Sequence, residues 1–97
     1  MRIAVVILNY NDKKNTIRLA KDLDSYETIN KIIVVDNCSP NNDWEELKEL
    51  NNNKIDVIKS DKNGGYSYGN NIGLNYLESK YGLFDYIIIS NTDIEIK

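Results

Sequence analysis

The sequence predicts an α/β domain: a Rossmann-like, mostly parallel sheet with flanking helices. Two observations carry that expectation. Four short runs rich in β-branched residues recur along the chain, at residues 3–8, 32–35, 55–58 and 86–89. Between them lie longer stretches whose apolar residues fall at three- and four-residue steps. Strand and helix in strict alternation impose right-handed crossovers, and therefore a parallel sheet.

Each element has its own justification. Residues 3–8, 32–35 and 86–89 are continuously apolar, the pattern of parallel strands covered on both faces. Residues 55–58, Ile55-Asp56-Val57-Ile58, alternate somewhat and suit a strand nearer the edge. A first helix is expected from Asp12, as its cap, through Ser25, with Ile17, Ala20 and Leu23 along one side. Asn42, with Glu45 three residues later, resembles a capping box. Trp44, Leu47 and Leu50 then form a stripe that Asn51-Asn52-Asn53 ends. A third helix is expected from near Ser67 to about Ser79, carrying Gly69, Ile72, Gly73, Tyr76 and Leu77 largely on one side. Asp93-Ile94-Glu95-Ile96-Lys97 has the alternation of a fifth strand, standing either at a sheet edge or at a cut inside a larger domain.

Composition narrows the function. The 97 residues are read as one domain, 1–97, large enough to bury roughly two-thirds of its unfolded surface. Twelve Lys and Arg against fifteen Asp and Glu leave a net charge of −3, with no basic footprint for nucleic acid or anionic lipid. There is no His, which excludes Ser-His-Asp and Cys-His catalysis and His-ligated zinc. A single cysteine, Cys38, forms no internal disulfide and points to a reducing compartment. No apolar run approaches the roughly 20 residues of a membrane span. Residues 3–8 are too short for a signal-peptide core, and residues 9–12 supply no small-residue cleavage site. The expected location is cytoplasmic.

In open α/β sheets, ligands bind beyond the carboxyl ends of the strands, where strand order reverses. The segments following the four runs are Asn9-Tyr10-Asn11-Asp12, Asp36-Asn37-Cys38-Ser39-Pro40, residues 60–66, and Asn91-Thr92-Asp93. All are polar. Asp36 stands where an acid accepts hydrogen bonds from a ribose or base, or where a turn simply starts. Asn63-Gly64-Gly65 lets backbone approach a ligand closely, or supplies positive φ. Gly69 and Gly73 each cost a helix about 1 kcal/mol relative to Ala, so that helix is expected to press against the sheet or a ligand. Its N-terminus suits an anion such as a diphosphate. Asn91-Thr92-Asp93 is either a turn or an all-oxygen ligand set compatible with Mg²⁺ or Mn²⁺. Cys38, with no His or Lys partner, reads as a loop filler rather than a nucleophile. Tyr10 and Tyr66 are placed to flank a base, whereas Tyr76 and Tyr86 are expected to pack.

The combination of residues 6–11, residues 34–39, residues 63–73 and Asn91-Thr92-Asp93 resembles the family 2 glycosyltransferases, most of all their rhamnosyltransferase-type members. The resemblance runs over essentially the whole chain, with all four motifs in order. It implies a GT-A fold and a nucleotide-diphosphate sugar donor. On that basis Asn9, Tyr10 and Asp36 hold the nucleoside, and Asn63, Gly65 and Asn70 line the donor pocket. Asn91 and Asp93 stand at the place of the family's Asp-x-Asp motif, with Asp93 the carboxylate for a divalent metal, Mn or Mg. Asn91 departs from the strict motif. The acceptor implied is a saccharide or lipid-linked saccharide of bacterial surface polysaccharide synthesis, reached by a protein peripheral to the inner face of the membrane. The family's acceptor base lies downstream of the Asp-x-Asp position, so no catalytic residue is expected within residues 1–97, and the chain alone is expected to be inactive. Homodimerisation along an open sheet edge is also expected. Two other readings stay open: a non-catalytic nucleotide-binding α/β module and a nucleotidyltransferase. A dehydrogenase does not, because residues 9–12 lack the Gly-x-Gly-x-x-Gly turn.

Overall fold

The computed structural model describes residues 1–91. They form strands β1 (Ile3–Asn9), β2 (Lys31–Asp36), β3 (Ile55–Lys59) and β4 (Tyr86–Asn91), with helices α1 (Lys13–Asp24), α2 (Asp43–Leu47) and α3 (Tyr66–Tyr81). A 3-10 turn, Lys48–Leu50, continues α2. The strands are all parallel, in the order β3-β2-β1-β4. The chain steps outward from β1 to β3, and α3 then carries it back to β4 on the far side of β1. Strand order therefore reverses between β1 and β4. This is a Rossmann-like parallel α/β sheet with flanking helices, the class the sequence predicts.

Because successive strand residues face opposite sides, each strand feeds two cores. Val5 and Ile7 of β1, Ile32 and Val34 of β2, and Ile55 and Val57 of β3 pack against Ala20 of α1 and Leu47 and Leu50. Ala4, Val6 and Leu8, with Ile33 and Val35, face the other way and meet Leu77 of α3. Burying each such aliphatic side chain contributes roughly 1.5–3 kcal/mol before the entropy of ordering is counted.

The helix α3 lies close on its sheet face, and its glycines are the reason. A Cβ on Gly69 would stand 2.5 Å from Leu8 Cδ1, and one on Gly73 2.7 Å from Val6 Cγ1 and 2.9 Å from Val35 Cγ2. The far half of α3 is anchored differently. Asp56 of β3 pairs with Lys31 at 2.9 Å and accepts hydrogen bonds from the Tyr76 and Tyr81 hydroxyls at 2.7 and 2.5 Å. Arg2 closes the same end, where α3 leads toward β4, donating to the Leu83 and Tyr81 carbonyls at 2.7 and 3.0 Å.

Three expectations about individual elements are corrected. The fourth run is not covered on both faces: Ile87, Ile88 and Ile89 are 42, 52 and 45% exposed, and Tyr86 is exposed rather than packed. Its place at the sheet edge explains this, because the helices lie over β1, β2 and β3 instead. The capping box does not form. Asn42 has a left-handed backbone, φ 62°, and caps α2 with no side-chain hydrogen bond. Asp12 likewise precedes α1 without a side-chain cap, its carboxylate accepting instead from Asn15 Nδ2 at 3.0 Å. The fifth strand, with Thr92 and Asp93, lies outside the described residues.

Candidate functional site

The carboxyl ends of the parallel strands share one rim, and alternation sorts their residues onto its two sides. Asn9 and Asp36, neighbours in register, continue the Val5-Ile7 and Ile32-Val34 face and point toward α1 and α2. Tyr10 and Asn37, one residue later, fall on the α3 side.

On the first side lies a buried polar hub. Asn9 Nδ2 donates to Asp36 Oδ1 at 3.2 Å, Ser39 Oγ at 3.1 Å and Asp43 Oδ2 at 3.0 Å. Two amide hydrogens thus serve three acceptors, one of them shared. Asn9 Oδ1 accepts from Thr16 Oγ1 at 2.6 Å, and Ser39 Oγ donates to Asp36 Oδ1 at 2.5 Å. Both Asn9 and Asp36 are fully buried. The hub ties the ends of β1 and β2 to α1 and to the segment leading into α2.

On the second side a cleft of about 250 Å³ opens, lined by Tyr10, Asn37, Asn63, Gly65 and Tyr66. Asn37 is its buried floor at 1% exposure. Its Nδ2 donates to Asn63 Oδ1 at 3.1 Å and to the Gly65 carbonyl at 3.3 Å. Two oxygen partners settle which end of the amide is nitrogen. Asn37 Oδ1 then has no hydrogen-bond partner. It lies against α3, 3.1 Å from where a Gly69 Cβ would be, so Gly69 leaves room for this amide as well as for Leu8. Gly65, at φ 89° and ψ −178°, holds a conformation that side chains avoid and brings the start of α3 to the cleft. The positive end of a 16-residue helix therefore opens on it.

Among the described residues four buried side-chain oxygens have no partner: Asn37 Oδ1, Asp36 Oδ2, Asn70 Oδ1 and Asn91 Oδ1. Asn70 lies one turn into α3. Asn91 ends β4 opposite Leu8, and so shares the α3 side with Tyr10 and Asn37. A buried acceptor left unpaired costs about 1–3 kcal/mol, which donors on a ligand, or a cation, would recover.

The structure thus brings Tyr10, Asn63 and Gly65 together in one cleft, with Tyr66 completing it. Asn9 and Asp36 sit on the opposite side of the sheet, in the hub, and Asn70 and Asn91 are on the α3 side but do not line the cleft. Asn37 is the residue the sequence reading passed over. Its signal was available: the continuous run of β2 makes Asp36 and Asn37 face opposite sides, and the α3 side carries the Gly-rich loop. Among the described residues no group of three or more His, Cys, Asp or Glu is placed to hold a metal. Asn91 offers one neutral oxygen, a set that suits a hard divalent ion only when a carboxylate and phosphate oxygens join it. Asp93 lies outside the described residues.

Comparison with known proteins bears on the whole arrangement. The family model described as Glycosyl transferase family 2 matches residues 4–97. A dolichol-phosphate mannosyltransferase of Pyrococcus furiosus is 34% identical over 70 residues, which are 69% of this chain and 20% of that protein. The chain thus spans about one-fifth of the length of the curated relative it matches. With the family model covering every strand and helix from β1 onward, the chain belongs to glycosyl transferase family 2.

Proposed function

We propose that this chain is the donor-binding region of an inverting glycosyltransferase that uses a nucleotide-diphosphate sugar. The observation that supports it best is the cleft on the α3 side, lined by two tyrosines and floored by the buried Asn37 beside the glycine-led start of α3. A cleft of about 250 Å³ suits a nucleoside rather than a whole nucleotide sugar, because drug-sized ligands occupy roughly 300–1,000 Å³. Stacking on Tyr10 and Tyr66 holds the base by its faces. The Asn37 side chain forms the floor beneath the base. The diphosphate then extends toward the N-terminus of α3, whose partial positive charge favours it.

Asn9 and Asp36 serve this site from the opposite face, by fixing the ends of β1 and β2 that carry Tyr10 and Asn37. Asn70 lines the path of the donor. Asn91 and Asp93 hold a divalent metal, Mn or Mg, together with diphosphate oxygens. Bound there, such an ion would neutralise the leaving diphosphate, the task a glycosidase gives to a general acid. The acceptor base is not assigned within residues 1–97. The name of the mannosyltransferase relative supports a lipid-linked acceptor. The full reading includes a rhamnosyltransferase-like role in surface polysaccharide synthesis at the inner face of the membrane, with two copies pairing along β4. Among the described residues no helix is long and apolar enough to cross a membrane.

Calorimetric titration with UDP and dTDP, with and without Mn²⁺, tests the donor site. Affinity that rises with Mn²⁺ in the parent chain and not in Asp93→Ala supports both parts of the assignment. Metal-independent binding, equal in the two proteins, removes the metal role. Nucleotide binding that survives Tyr10→Ala and Asn37→Ala unchanged removes the cleft.

A further inference from the structure

We infer that Asn63-Gly64 is a spontaneous modification site, at which the Asn63 side chain loses ammonia and the cleft acquires a negative charge. Fifteen asparagines are present, and Asn63 alone among them precedes a glycine. It is exposed, in a loop outside any helix or strand. Its carbonyl oxygen accepts two N–H groups, Asn37 Nδ2 at 3.1 Å and Gly65 N at 3.2 Å. Paired N–H donors on one carbonyl oxygen polarise its carbon and stabilise the oxyanion of a tetrahedral intermediate.

The step balances without any outside reagent but water. The Gly64 backbone nitrogen attacks Asn63 Cγ, a nitrogen–carbon bond forms, and its proton passes to solvent. The amide nitrogen takes a proton from solvent, the Cγ–Nδ2 bond breaks and ammonia departs, leaving a five-membered imide. Water opens the imide at one of two carbonyls. One opening restores the backbone and leaves Asp at position 63. The other leaves the chain running through Cγ, as isoaspartate. Gly64 favours the attack because it has no Cβ to crowd the nitrogen and few torsional limits.

The consequence falls on the cleft. A carboxylate at position 63 still accepts from Asn37 Nδ2, but it adds a full negative charge to the wall. The isoaspartyl form inserts a methylene into the backbone and draws Gly65 and Tyr66 out of position. This functional half rests on the proposed nucleotide site, whereas the chemistry does not.

Asn52 provides an internal comparison. Its Oδ1 also accepts two backbone N–H groups, from Lys54 and Ile55 at 2.8 and 2.7 Å, but Asn53 follows it. The full chain is incubated at mildly alkaline pH, and peptide mass spectrometry follows each asparagine. The expected result is a gain of one mass unit at Asn63, on the order of tenfold faster than at Asn52, equivalent to about 1.36 kcal/mol off the barrier. Asn63→Gln should abolish the gain at that position and leave the others unchanged. Equal rates at Asn63 and Asn52, or a slower rate at Asn63, overturn the proposal. Separately, Asn63→Asp should weaken UDP binding by roughly tenfold, about 1.4 kcal/mol. Modification at Asn63 with unchanged UDP affinity in Asn63→Asp keeps the chemistry and removes its effect on the cleft. If neither the parent chain nor Asn63→Asp binds UDP, the failure lies with the donor site.

Discussion

Replacing Gly73 by Ala tests how closely α3 must lie on the sheet. Ala is the better helix former by about 1 kcal/mol, so propensity alone predicts that Gly73→Ala stabilises the domain. Packing predicts the reverse. The new methyl would stand 2.7 Å from Val6 Cγ1 and 2.9 Å from Val35 Cγ2. Both valines are fully buried, and β-branching leaves them few rotamers in which to withdraw. Overpacking costs typically about 1–3 kcal/mol, and two contacts under 3.0 Å put this substitution in the upper half of that range, so the net loss is about 1–2 kcal/mol once the roughly 1 kcal/mol of propensity is offset. For a domain of this size, 1 kcal/mol moves Tm by about 4–8 °C, which puts the expected fall at roughly 5–15 °C. Thermal unfolding followed by circular dichroism reads it directly. Asn75→Ala, exposed on the same helix, is the comparison: it gains propensity without a clash and should hold or raise Tm. Trimming the partner in Val6→Ala/Gly73→Ala should recover part of the loss as a favourable coupling. A Tm for Gly73→Ala at or above that of the parent would refute the packing argument.

Three further predictions follow from the same contacts. Burial pushes the Asp56 carboxyl upward, but hydrogen bonds from Tyr81 and Tyr76 and the Lys31 ammonium outweigh it and lower its pKa from 3.8 to about 2. A depressed carboxylate stabilises the fold above its unfolded pKa, so about 2 kcal/mol should be lost as pH falls from about 4 to about 2, and Asp56→Asn should flatten that part of a urea stability–pH profile. Asn9→Leu removes an amide that serves Asp36, Ser39 and Asp43 together; it should cost at least 2 kcal/mol in urea unfolding, because the buried carboxylates are left short of donors. Tyr10→Ala, at a residue 36% exposed, should leave Tm within a few degrees yet weaken UDP binding about tenfold in calorimetry, the effect of losing one base-stacking ring.

Much of the fold was legible because hydrophobic runs and glycines speak locally. The continuous apolar runs located β1 and β2, and the alternation in residues 55–58 marked an edge strand, which β3 is. Gly69 and Gly73 announced a close approach, and their neighbours Leu8, Val6 and Val35 explain it. The exposure of β4 was not legible, since a run such as Tyr86-Ile87-Ile88-Ile89 reads the same whether or not a helix lies over it. Caps failed for a related reason: the left-handed backbone at Asn42 is set by the tertiary path out of the hub, which a four-residue pattern does not contain. At the site, residue types at strand ends were visible, but their division between hub and cleft depends on strand parity. Asn9 and Asp36 fall on one side of that division, and Tyr10 and Asn37 on the other.

The central claim is that a nucleotide occupies the cleft over Asn37. Titrating the ¹⁵N-labelled chain with UDP and recording amide spectra tests it most directly, because the Asn37 side-chain NH₂ and the Gly65 and Tyr66 backbone amides each report on the cleft. Saturable shifts at these three positions, with α1 undisturbed, are the predicted result. Shifts confined to α1 and α2, or none in the cleft at saturating UDP, would contradict it.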